Sequence, residues 1–272
     1  MNRVALRVAY DGTGFSGFQR QSDRGARTVQ GVLEEALGRL CGQAPASLGL
    51  RAAGRTDAGV HAQGQVVAFL TERQWSADRW LRALSGVLPP DVVVQDVAFP
   101  VPDFDPRRMA VARRYGYRWL VSLASDPMRR HVTWHVGPAC DLVAVDRAWR
   151  GLVGYHDFSA FRSTGSNPRS PWVTVHRAWL DTAADEVILR IEATSFLYHM
   201  VRRLVGAVRE VATGRKSVDS FLDLFSEGRD SFSPPVTAPA RGLSLDAVVY
   251  PQELISWSST LVSLQGPIDA GT

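Results

Sequence analysis

Lysine is almost absent: Lys216 is the only one in 272 residues, so arginine carries the net charge of +4 and the pI near 9.4. An arginine fork suits phosphate, and a basic balance points mildly to a polyanionic partner, yet a compositional bias would produce the same substitution. Cysteine is scarce as well. Cys41 and Cys140 can build neither a disulfide framework nor a four-ligand zinc site, and reduced structural thiols are expected. The six histidines show no His-Glu-x-x-His or clustered spacing, so no metal and no bound cofactor is expected. No apolar run approaches the eighteen or so residues of a membrane span, and the N-terminus alternates where a signal peptide would be apolar. The expectation is a soluble, cytoplasmic chain with no membrane partner, and an apolar share of 45% is enough for one large or two ordinary cores.

What is present has clear periods. Val4, Leu6, Val8 and Tyr10 alternate as a strand. Thr28 can cap a helix carrying Val29, Val32, Leu33, Ala36, Leu37 and Leu40, ending near Gly42. Leu48, Leu50 and Ala52 alternate towards a glycine-rich loop, and residues 65–70 follow as a strand. A helix capped by Ser76 and a strand at 92–97 complete the first half. After the proline-bearing stretch 99–109 the order recurs: strands at 114–121, 173–180, 187–193 and 243–249, with helices from Asp141, from about Ser195 to Thr213, and from Ser217. Strand, helix, strand, strand, helix, strand, twice over, predicts an α+β protein of two tandem ferredoxin-like (βαββαβ, RRM-like) halves. Their antiparallel sheets would carry helices on one face, leave the other free for a ligand or its twin, and form a cleft between them. The expected units are 1–104, 105–250 and a tail, 251–272.

Gly12-Thr-Gly14-Phe-Ser-Gly17 is a literal G-x-G-x-x-G after a strand, but helical periodicity starts only at Thr28 and no acid ends the next strand. Dinucleotide binding is therefore not expected. The loop's continuation Phe15-Ser-Gly-Phe18-Gln19-Arg20-Gln21 offers aromatics, amides and a cation suited to unpaired nucleotides. Arg113 and Arg114, costly to bury unpaired, are expected to face an anion beside Tyr115.

The run Gly54-Arg-Thr-Asp57-Ala-Gly-Val-His-Ala62 resembles the signature of the bacterial tRNA pseudouridine synthase A family. Four further segments are similar to that family in its order: Tyr10–Gln21, Ala112-Arg-Arg-Tyr115, Phe196-Leu-Tyr-His-Met-Val-Arg202 and Ala240-Arg-Gly-Leu243. The resemblance implies a pseudouridine synthase fold, a homodimer, tRNA as partner, and isomerisation of uridines at positions 38 to 40 of the anticodon stem-loop. Residue by residue it implies Asp57 as catalytic carboxylate, Arg202 paired with it as a second catalytic residue, Tyr115 stacked on the target base and, as a third, assisting proton removal at C5, Leu243 lining the uracil pocket, and Gln19 and Arg20 on a tRNA-contacting loop. Arg55 could fill the space an extruded uridine leaves. Asp157–Arg162 would be pocket wall. Phe104-Asp-Pro-Arg107 departs from the family's Phe-His-Ala-Arg, so Arg107 is carried over only weakly. The alternative, a non-catalytic RNA-binding protein of two RRM-like units, would need an RNP pattern of aromatics that is not found.

Overall fold

A computed structural model describes residues 1–21, 25–162, 170–225 and 236–258. The first half runs β1 (Asn2–Tyr10), α1 (Val29–Cys41), β2 (Arg51–Ala52), β3 (His61–Thr71), α2 (Ala77–Ser85) and β4 (Val92–Ala98). The second runs β5 (Ala112–Leu120), β6 (Trp134–His135), α3 (Leu142–Arg150), β7 (Gly154–Asp157), β8 (Trp172–Ala183), β9 (Glu186–Ala193), α4 (Met200–Ala212), α5 (Val218–Leu222) and β10 (Leu243–Val249). The expected caps hold: Thr28, Ser76, Asp141 and Ser217 each accept a backbone N–H in the first turn of their helices, and Gly42 ends α1 in the left-handed region at φ 67°. No helix among the described residues is long and apolar enough to cross a membrane.

The two sheets are fused edge to edge. Their order is β4-β1-β3-β10-β5-β9-β8-β7, with β2 beside β3 and β6 beside β5. Neighbours are antiparallel except at β5·β6 and at the seam between the halves, where β10 runs parallel to β3 through Ser244 opposite His61 and Leu245 opposite Ala62. Leu243 and Leu245 stand on one face of β10, yet Leu243 belongs to the second core and Leu245 to the first. Both helical layers therefore lie on the same side of one sheet, α1 and α2 over one half, α3 and α4 over the other. The trough between them runs along β3, β10 and β5.

The opposite face of the first half is not free. Its small side chains Ala5, Ala68 and Ala98 pack with Phe104 and Ile255, beneath a cover supplied by Val101, Met109, Leu254 and Trp257. Arg7 lies 4.5 Å from the Trp257 ring centroid. The described part of the tail thus completes the first core, although nothing periodic marks it. Leu48 departs from its expected strand because Pro45 and left-handed Gly49 close the chain into a 3-10 turn over Pro45–Leu48. The last long helix also starts later than its apolar stripe suggests, at Met200, since His199 at φ 62° breaks the helical path.

Gly206 lies mid-way along α4, where alanine would ordinarily add about 1 kcal/mol of helix propensity. Here an added Cβ would stand 1.7 Å from the Val236 carbonyl oxygen, because residues 236–238 run directly against the helix. Gly206→Ala is expected to lower the melting temperature by about 5–10 °C. An unchanged or raised melt would show that residues 236–238 do not pack there.

Candidate active site

The loop between β2 and β3 is held from behind by the glycine-rich loop after β1. Phe18 N–H donates to the Thr56 carbonyl at 3.0 Å, Gly59 N–H donates to the Phe15 carbonyl at 3.3 Å, and the Tyr10 hydroxyl meets Thr56 Oγ1 at 2.8 Å. Gly12 passes so close that a Cβ there would lie 2.1 Å from the Val60 carbonyl oxygen. Burial pushes the Tyr10 phenol up to about 12, so it keeps its proton and can donate to Thr56. Thr56 is buried by this packing and Asp57, its neighbour, is turned into the trough.

There Asp57 meets α4. Arg202 Nη1 donates to Asp57 Oδ2 at 3.3 Å, and His199 Nε2 lies 3.3 Å from the same oxygen. Neither contact engages Oδ1. The Asp57 and Arg202 side chains are 22% and 16% exposed, a setting in which a charge–charge contact is far less screened than in water. Arg202 is not forked over both carboxylate oxygens. Its Nε instead donates to the Ala238 carbonyl at 2.8 Å, while the Ala238 N–H donates to the Arg202 carbonyl at 3.0 Å. One guanidinium thus ties α4, the segment entering β10 and the Asp57 loop together.

Tyr115, on β5 with Leu245 opposite, is half-buried and packs nearly perpendicular to the Phe196 ring, with centroids 4.9 Å apart. Burial, then the nearby Tyr10 and Asp57, push its phenol well above the usual range. The hydroxyl stays protonated, a hydrogen-bond donor and no ready base in the free protein. Leu243 is buried at the start of β10, opposite Tyr117, whose hydroxyl donates to the Pro239 carbonyl at 2.8 Å. Just before it, Ala240 abuts Gly59 of the Asp57 loop. Four stretches far apart in sequence therefore converge around one carboxylate.

A family model described as tRNA pseudouridine synthase matches residues 7–107 and 148–251. The chain is 42% identical over 258 residues to the tRNA pseudouridine synthase A of Solidesulfovibrio magneticus, covering 92% of each. It is 39% identical over 243 residues to that of Halalkalibacterium halodurans, covering 89% of this chain and 90% of the relative. To that of Myxococcus xanthus it is 38% identical over 251 residues, covering 92% of each. This chain belongs to the tRNA pseudouridine synthase family.

Several side chains of this family member lie elsewhere than their sequence context suggests. Phe15 and Phe18 are buried in the first core, Phe15 beneath the Arg27 guanidinium at 4.1 Å, so neither can stack on a nucleotide. Gln19 and Arg20 are exposed, and Arg20 Nη1 pairs with Glu34 Oε2 at 3.1 Å. Arg55 is exposed beside Asp57. Arg113 and Arg114 do not wait for an anion. Arg113 donates to the carbonyls of Ala53, Arg107, Ala110 and Thr194, and Arg114 pairs with Glu192 at 2.7 Å on the reverse face. Arg107 is exposed, and Asp105 before it accepts the Arg107 and Arg108 N–H groups and pairs with Arg51. Phe158 and Phe161 form no pocket wall but the aromatic heart of the second core, with Phe221 and Phe225.

The glycine repeat is likewise no nucleotide loop: Gly12–Gly14 is a single 3-10 turn and α1 begins at Val29. Two histidines that sequence spacing does not single out lie at this site. His61 Nδ1 accepts the Gly12 N–H at 3.0 Å, so its Nε2 carries the proton shared between the carbonyls of His131 at 2.9 Å and Arg241 at 3.0 Å. It staples three loops around the Asp57 turn. The other is His199, whose place inside Phe196–Arg202 was visible but whose reach to Asp57 depends on a backbone conformation that no period reveals.

Proposed function

We propose that the chain isomerises uridine to pseudouridine in tRNA with Asp57 as the catalytic carboxylate and the anticodon stem-loop uridines 38 to 40 as targets. The observation that supports this most directly is the Asp57–Arg202 pair in the trough, 145 residues apart in sequence, within a chain of this family. In the reaction the N1–C1′ bond breaks and a C5–C1′ bond forms. The C5 hydrogen leaves to solvent and N1 takes up a proton, so atoms balance without redox or an energy source. Such a rearrangement needs a carboxylate beside sugar and base, held ionised and aimed. Arg202 pairs with that carboxylate and aims it. Tyr115 and Leu243 are assigned to the two sides of the base pocket, Arg55 to the space left by the extruded nucleotide, and Gln19 and Arg20 to the tRNA backbone. The Arg107 assignment rests on motif resemblance alone. So does a homodimer, testable by sedimentation, whereas the division into 1–104 and 105–250 rests on the repeated element order around the proline-bearing stretch and a cytoplasmic location on the apolar pattern of the sequence.

Purified protein is expected to release tritium from [5-³H]uridine-labelled tRNA with no added metal or nucleotide. No release from any undermodified tRNA would favour a binding protein of two RRM-like units. That second reading meets an obstacle already: an RRM stacks bases on its helix-free sheet face. In the first half that face is covered by Phe104, Ile255 and Trp257.

A further inference from the structure

His199 and Ala184 are the non-glycine residues with positive φ among those described, and Ala184 turns the β8–β9 hairpin. A left-handed backbone is one that L-residues avoid, and when it is kept at a helix start the fold around it must hold it there. His199 sits at the N-cap of α4 without a capping side-chain bond, so its imidazole is not used to finish the helix. The ring lies on Tyr198, with centroids 3.8 Å apart and planes 24° from parallel. From there Nε2 reaches Asp57 Oδ2 at 3.3 Å, the distance at which Arg202 Nη1 meets the same oxygen. Phe196, from the same short segment, packs nearly perpendicular to the Tyr115 ring.

The charge state suits a donor. Burial lowers the imidazole pKa; Asp57 opposes this, and Arg202 and Arg203 reinforce it. A neutral ring with its proton on Nε2 can offer that proton to the carboxylate 3.3 Å away without adding a third positive charge to the helix start. One donor lets a carboxylate pivot about its own contact, whereas two donors from different directions fix the plane of the group. Residues three apart at a helix start lie on one face, which is what brings His199 and Arg202 to one oxygen.

We propose that His199 is a positioning residue for the isomerisation, its Nε2–H holding Asp57 Oδ2 so that Oδ1 is presented to the substrate. This rests on Asp57 being the catalytic carboxylate.

Two other roles would keep a histidine here: packing of the ring on Tyr198 alone, or maintenance of the left-handed turn alone. Three substitutions separate them. His199→Gln offers an amide N–H near the place of Nε2, His199→Phe keeps the ring and removes the donor, and His199→Gly favours the backbone and removes both. Single-turnover rates at saturating tRNA, tRNA Kd and thermal melts are measured for each, with Asp57→Asn alongside. The expected result is a Gln variant within about five-fold of wild type. The Phe and Gly variants should be slowed about 10- to 100-fold, the loss of a hydrogen bond to a charged group, with Kd within about three-fold. A Phe variant at the wild-type rate would assign the ring to packing, and a Gly variant at that rate would assign the residue to the turn. Gln as slow as Phe would show that no donor is at work. Each of these overturns the proposal while Asp57→Asn remains inactive. Turnover by Asp57→Asn would instead remove the catalytic carboxylate, and the role of His199 with it.

Discussion

Asp57→Asn is expected to bind tRNA within about three-fold of wild type and to lose tritium release by about 10⁴-fold or more, the scale on which removing a central catalytic group acts. The amide keeps the shape of the carboxylate, and its oxygen can still accept from Arg202 Nη1 and lie beside His199 Nε2, so the turn from Gly54 to Val60 should keep its form. That turn is fixed mainly by backbone bonds to the loop behind it, through Phe18 and Gly59, and by the Gln65 side-chain amide, which donates to the Gly54 carbonyl; none of these uses the Asp57 side chain. The substitution removes the negative charge, and with it the ability to act as nucleophile or base on the sugar or the uracil. A modest stability loss, about 1 kcal/mol, is expected because Arg202 loses its counter-ion while keeping its bond to the Ala238 carbonyl. Substantial turnover by the variant, with a normal melt, would mean that the essential carboxylate lies elsewhere.

How far this site could be seen in the sequence depends on which forces left a local mark. The alternation of Val4 to Tyr10, the caps at Thr28 and Ser76 and the stop at Gly42 are short-range effects, and each was legible. Asp57 and Arg202 were legible as motif members, and the helix carrying Arg202 by its stripe. The seam between the halves was not. It rests on two residue pairs of parallel β10·β3, too short to impose a period and made by residues some 180 positions apart. The two-residue β6 and four-residue β7 escaped for the same reason of length. Phe15 and Phe18 looked like ligand-facing aromatics because glycines surround them, when those glycines serve to let the two loops touch. Arg113 misled in the opposite way: carbonyl oxygens from four separate residues satisfy it, and nothing in Ala-Arg-Arg-Tyr announces partners of that kind.

Arg202→Lys should keep tRNA affinity but slow the chemical step by about 100-fold, and the reason is the division of labour within one guanidinium. Nε holds the Ala238 carbonyl at 2.8 Å and Nη1 holds Asp57 at 3.3 Å, so the plane of the group is set by one contact and delivered to the other. Ala238 in turn is tied back to the helix by its own N–H, which closes the loop of constraints. An ammonium is a compact charge on a flexible stem. It can sit beside the carboxylate or beside the carbonyl, but it cannot span both with fixed geometry, and the carboxylate it leaves is charged but poorly aimed. Misplacement of a reacting group by about 1 Å can cost on the order of 100-fold. Stability should fall by about 1 kcal/mol, because the Ala238 carbonyl loses a charged donor where water reaches poorly. An arginine that merely snorkels from a helix edge behaves otherwise: its exchange for lysine stays within about 0.5 kcal/mol and leaves turnover untouched. Single-turnover rates on saturating tRNA, with a thermal melt of the same preparation, distinguish the two. A wild-type rate would assign Arg202 to the core edge and leave Asp57 dependent on His199 alone among its contacts on α4's first turn.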